Sequence, residues 1–159
     1  MSQKEKSDKY SAILVQGWMA MFTIYIANLV MDMVRCNVMD QCSTWASHIG
    51  PGGLVVITIV MFIYAVMPLL IKLISSLWFR YVAVGITAFI TLFYVAHELT
   101  HLVAGDKPFG IAHTLDITHH IVGVGMIVVA TLWAKSAKKE EQPMQSGVSV
   151  PLQASSQAG

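Results

Sequence analysis

Four separated runs of about 20 apolar residues dictate what this chain can become, because a helix of that length crosses the roughly 30 Å hydrocarbon core of a bilayer. They extend from Tyr10 or Ser11 to Val34, from Gly53 to Leu73, from Trp78 or Phe79 to Ala104, and from Ala112 to Ala134. Inside hydrocarbon every backbone N–H and C=O must find a partner within the protein, and a single segment achieves that only as a helix. The 159 residues are 55% hydrophobic and 12% charged, with a mean hydropathy of +0.63, which takes the chain out of the soluble globular class. The sequence therefore predicts an all-α integral membrane protein. Its core is a four-transmembrane-helix bundle over 11–135, between a tail at 1–10 and a disordered tail at 136–159.

An even number of spans puts both termini on one side, and the basic residues say which. Lys4, Lys6, Lys9, Lys72, Arg80, Lys135, Lys138 and Lys139 collect at that side, against Arg35 and Lys107 opposite. Lys and Arg concentrate in cytoplasmic segments, so both termini are expected in the cytoplasm and the segments 35–52 and 105–112 outside. The first apolar run is long for a signal peptide and has no A-x-A site, which reads as an uncleaved anchor in the cell membrane. Pro68 in the second span is tolerated where a neighbouring helix or water satisfies the freed carbonyl. A formal charge of +1 with no basic patch leaves no nucleic-acid partner to expect. The partners implied are the lipid bilayer and, beyond it, other membrane subunits or further copies in a homo-oligomer.

Against this background the stretch from His97 to His120 stands out. It holds five of the six histidines together with Glu98, Asp106 and Asp116. Ionisable groups at membrane depth are costly unless they pair, bind metal or line a wet cavity, so they mark functional sites by default. Gly105, Pro108 and Gly110 supply turn chemistry, making the third and fourth spans antiparallel neighbours. Counting back equally from that turn sets His97 level with His120, and His101 level with Asp116. His113, Asp116 and His120 share a face at steps of three and four, whereas His119 points about 100° away. On the first span Tyr25, Asn28, Asp32 and Arg35 form a stripe, through which Asp32 can supply a further carboxylate or pair with Arg35. Thr87, Thr91, Tyr94, Glu98 and His101 form another on the third span.

Imidazoles and carboxylates in one small volume suit a transition metal ion, with Zn, Fe, Ni and Cu all admissible. His97, His101, His113, Asp116 and His120 are the expected metal ligands, with Glu98, His119 and Asp32 as secondary candidates. The competing reading is a hydrogen-bonded network of His, Asp, Thr and Tyr, or a proton relay. In the outer segment Cys36 and Cys42 stand six positions apart and face an oxidising compartment, which favours a disulfide. As thiolates they would instead join Met31, Met33 and Met39 in a soft site for Cu(I). His48 stands alone nearby as a solvated side chain.

Three fragments resemble known metal sites. His97-Glu98-Leu99-Thr100-His101 is similar to the HExxH helix of zincins and of intramembrane site-2-type metalloproteases. That resemblance implies zinc on both histidines, Glu98 as the catalytic base of a hydrolase, and Leu115-Asp116 in place of the LDG-like motif. His113-Thr114-Leu115-Asp116-Ile117-Thr118-His119 resembles the HxxxxDH signature of nickel/cobalt permeases and implies metal transport. Paired histidines on two spans, His97 with His120 or His101 with His119, are similar to the axial ligands of haem b in membrane bundles. The cluster is also similar to the histidine boxes of non-haem membrane desaturases. The sequence thus points to metal transport or a metal-linked subunit of a membrane complex. A membrane metalloenzyme (haem or non-haem oxidoreductase, or hydrolase) and a structural subunit with a polar network are the alternatives.

Overall fold

The computed structural model describes residues 2–40, 42–104 and 111–145, with backbone only at 43–49, 101–102, 104, 111–113 and 138–145. The expected turn at 105–110 and the tail beyond 145 lie outside the described residues. Four helices account for nearly all of the rest: α1 (Gln3–Val38), α2 (Cys42–Leu73), α3 (Leu77–Ala104) and α4 (Ile111–Gln145). Each contains a stretch long and apolar enough to cross a membrane: Gln3–Val38, Gly50–Leu73, Leu77–Thr100 and Thr114–Ala137. At about 1.5 Å per residue, 24 helical residues reach roughly 36 Å, enough for the hydrocarbon core with some tilt.

Local chemistry sets the ends. The Ser2 hydroxyl accepts from the Glu5 N–H at 3.2 Å while the Ser2 N–H donates to the Glu5 carboxylate at 2.5 Å, a capping box that starts α1 upstream of its apolar run. α1 ends where Asp40 takes φ 52°, a left-handed conformation that short polar side chains tolerate. Cys36 and Cys42 are joined in the expected disulfide, with Cα atoms 4.6 Å apart, so their sulfurs are not thiolate ligands for copper. The connection is far tighter than an open outer loop over 35–52. Helix resumes at Cys42 because no breaker precedes Gly50. There φ 56° and ψ 178° interrupt the helix, and Pro51, which lacks an N–H to satisfy, opens the membrane-crossing part of α2. At the other end residues 74–76 suffice to turn the chain, with the Arg80 N–H donating to the Ser76 carbonyl at 3.2 Å.

α1 packs against α2 and α4, and α4 against α3, whereas α2 and α3 barely meet. The helices therefore stand in the cyclic order α2, α1, α4, α3, with α1 opposite α3 and α2 opposite α4. The buried seams repeat at steps of three and four: Leu14, Trp18, Met21 and Tyr25 on α1, and Val60, Tyr64, Met67 and Ile71 on α2. On α4 the series runs Asp116, His119, Gly123, Met126, Ala130 and Trp133. Such spacing is that of helices packed knobs-into-holes at shallow angles. Outside this seam the large side chains are apolar and exposed, among them Phe62, Leu69, Phe89, Leu92 and Ile121. Only 22–33% of each apolar stretch is buried in the bundle, which leaves a surface suited to lipid contact.

Two glycines let α4 approach its neighbours. A Cβ on Gly17 would collide with the Met126 thioether, a flexible group that can move. One on Gly123 would meet Thr91 Oγ1 at 2.7 Å and Cγ2 at 2.9 Å, and Thr91 is held by donating to the Thr87 carbonyl at 2.8 Å. Gly123→Val should therefore destabilise the bundle by about 1–3 kcal/mol. Adding Thr91→Ala should restore more than half of that loss in detergent unfolding. Replacing Cys36 and Cys42 together by Ser should lower stability by about 2 kcal/mol, the closure entropy of so short a loop, measured the same way.

Candidate functional site

The bundle's polar centre lies toward the end that carries the disulfide, and α4 supplies its middle. His119 is 2% exposed, and its Nε2 shares a hydrogen bond with the Tyr64 hydroxyl of the diagonally opposed α2 at 2.8 Å. The Tyr94 ring of α3 meets the His119 ring edge-on, with centroids 4.4 Å apart. The Tyr25 ring of α1 lies 5.6 Å from that of Tyr64 and, across the second diagonal, 5.8 Å from that of Tyr94. Trp18 closes the cluster below, edge-on to Tyr64 at 5.6 Å. Three tyrosines and one histidine, one from each helix, thus interlock in the centre.

One turn further out on α4, the Asp116 carboxylate is 8% exposed and accepts from Asn28 Nδ2 of α1 at 2.7 Å. A carboxylate needs a donor, and this fixes the orientation of the Asn28 amide. The amide oxygen of Asn28 and the indole N–H of Trp18 are buried without a hydrogen-bond partner among the described residues. His120 Nδ1 donates to the backbone carbonyl of Asp116, which places that ring's proton on Nδ1. Thr87 and Thr91 donate to the Ala83 and Thr87 carbonyls of their own helix, at 2.7 and 2.8 Å, and so sit in the core at little cost.

The expected metal centre is not found among the described residues. Among the described residues no group of three or more His, Cys, Asp or Glu side chains is arranged to hold a metal ion. The prediction of a bound Zn, Fe, Ni or Cu, and of haem b iron with it, is corrected on that ground, as are the transport and metalloenzyme readings built on it. The geometry gives the reason. Thr91 faces Gly123 and Tyr94 faces His119, so the level of His120 is met near 93–94 and His97 lies about one turn beyond it. Equal counting back from the turn misplaced the register of α3 against α4. His97 is exposed, Glu98 and Asp32 are half-buried, and Asp116 is committed to Asn28. The side chains of His101, His113 and His48 lie outside the described residues.

His119, expected to turn away, is instead buried, and Tyr64 of α2 is its partner. The signal was available in the apolar half of α4. Extending its seam of Trp133, Ala130, Met126 and Gly123 outward by steps of four and three selects His119 and Asp116 and passes over His120. Comparison with family models, with curated proteins and with solved structures finds no match to this chain, so its chemistry rests on these residues alone.

Tyr64→Phe leaves the buried His119 Nε2 without its partner and should cost about 1–3 kcal/mol. The double variant with His119→Phe removes both polar ends. A coupling of at least about 0.5 kcal/mol is expected from the four-member cycle in detergent unfolding, and simple additivity would mean the pair contributes nothing.

Proposed function

We propose that this is a multi-pass protein of the cell membrane with both termini cytoplasmic, acting as a structural component of that membrane. Its polar centre serves as an interhelical clamp rather than a reaction site. One observation carries the reading: the contacts of the polar centre run between helices and take in all four of them. Asn28 with Asp116 joins α1 to α4, Tyr64 with His119 joins α2 to α4, and the Tyr94 ring set edge-on against His119 joins α3 to α4. In hydrocarbon, interhelical hydrogen bonds contribute about 0.6 to 2 kcal/mol each, which selects one helix arrangement among the many that apolar contact alone permits. The apolar outer faces of such a frame are available to lipid, to other membrane subunits or to a second copy.

The orientation is supported by the basic residues at the termini end and by the disulfide at the other, which fits an oxidising exterior. A proton relay is the second reading, favoured by an ionisable carboxylate and an imidazole buried one turn apart beside two tyrosines.

Two measurements decide between them. In intact cells, brief reduction should expose Cys36 and Cys42 to a membrane-impermeant maleimide, whereas labelling only after permeabilisation would reverse the orientation. Proteoliposomes under a pH gradient should show no more proton flux than empty ones. A flux that His119→Phe abolishes would replace the clamp by the relay.

A further inference from the structure

At the opposite end of the bundle, where α1 begins and α4 ends, residues of all four helices line a half-open cavity of about 220 Å³. That is several times the roughly 30 Å³ share of one water and below the roughly 300 Å³ at which sites for whole small molecules begin. Its lining has two parts. The hydroxyl side chains of Ser7, Ser11 and Ser75 and the cations Lys72 and Arg80 make up the polar part, and Ile71 and Trp133 the apolar part. Asp8 is the one acidic group in the lining, so two positive charges meet one negative.

Arg80 is the fixed element. It is only 5% exposed, and its guanidinium is held in place before any ligand arrives. Nε donates to the Ser75 carbonyl at 3.0 Å. One terminal nitrogen donates to Ser7 Oγ at 2.9 Å, and to the Trp133 carbonyl and Ser136 Oγ at 3.1 Å each. The group also stacks over the Trp133 ring, 4.9 Å from its centroid. Ser75 lies just before the start of α3, whose N-terminal dipole adds positive potential at the same end. Lys72 is exposed and forms the adjustable arm of the site.

We propose that this cavity binds a phosphate group, and that the apolar part of its lining suits it to the glycerophosphate head of an anionic phospholipid. The Lys72 ammonium and the Ser7 and Ser75 hydroxyls are donors of the kind phosphate oxygens require, and the fixed guanidinium beside them adds positive charge. The site lies where the apolar spans end and beside the lysine-bearing amino terminus, the depth at which lipid phosphates stand. It is separate from the polar centre and does not depend on the clamp.

The test uses the full chain in detergent, titrated with micelles containing phosphatidylglycerol, with phosphatidylcholine micelles and with inorganic phosphate, reading affinity and thermal midpoint together. Phosphatidylglycerol should bind and raise the midpoint, and Lys72→Ala, on an exposed side chain that the fold does not need, should weaken binding about tenfold. Lys4→Ala, on the same end but outside the cavity, should leave it unchanged. Arg80→Lys should weaken binding further if it folds, while Lys72→Ala decides the matter if it does not. Saturable binding of inorganic phosphate, lost in Lys72→Ala, with no added effect of lipid would keep the phosphate site and remove the lipid as its source. Equal effects of the two lipids, or equal losses in Lys72→Ala and Lys4→Ala, would overturn the site.

Discussion

The hydrogen bond between Tyr64 and His119 is the contact on which the rest of this bundle turns. It joins the two helices, α2 and α4, that lie on one diagonal and touch only through long side chains. A polar atom left unsatisfied in a dry core costs several kcal/mol, so this bond favours one geometry and the helices that carry it one spacing. The tyrosine rings around it then do what aliphatic side chains do less well. They fill the centre with large rigid groups whose edges meet faces, and each can carry a hydroxyl to a partner on another helix.

The order of the helices follows from the same residues. α4 is narrow where Gly123 meets Thr91 and where Met126 meets Gly17, so it can lie close to both α1 and α3. α1 offers a long uninterrupted seam to α2 and α4 alike. α2 turns its seam of Val60, Tyr64, Met67 and Ile71 into the bundle and barely meets α3. At the termini end Arg80 compensates by tying α3 to α1 and to the last turns of α4.

Much of the architecture was legible in the chain. The four apolar runs, the pairing of the last two helices and the Cys36–Cys42 bridge all follow from length, turn residues and compartment. The polar centre was only half legible. The stripe holding Tyr25 and Asn28 was visible, yet the density of histidines drew attention to residue type when direction was the informative quantity. Five imidazoles in one stretch suggest a shared ligand only if they face the same way. Here His119 faces inward, His97 outward, and His120 bonds to its own backbone. Seam periodicity carried across from the apolar half of α4 settles direction, because a helix cannot change its buried face without a break. The level of α3 against α4 was not legible, since a turn's residues mark its position without fixing how symmetrically the helices leave it.

Gly50 gives the bundle a mechanical division that the helix count conceals. The short helical segment 42–49 is bound covalently to the end of α1 through Cys36, so it moves as part of α1. The long apolar part of α2 begins only after the kink at Gly50. With no tight neighbour on its α3 side, that part of α2 is a stave hinged at one point, and any displacement of it is taken up by two dihedral angles of one glycine. The bridged outer corner would stay in register with α1 throughout.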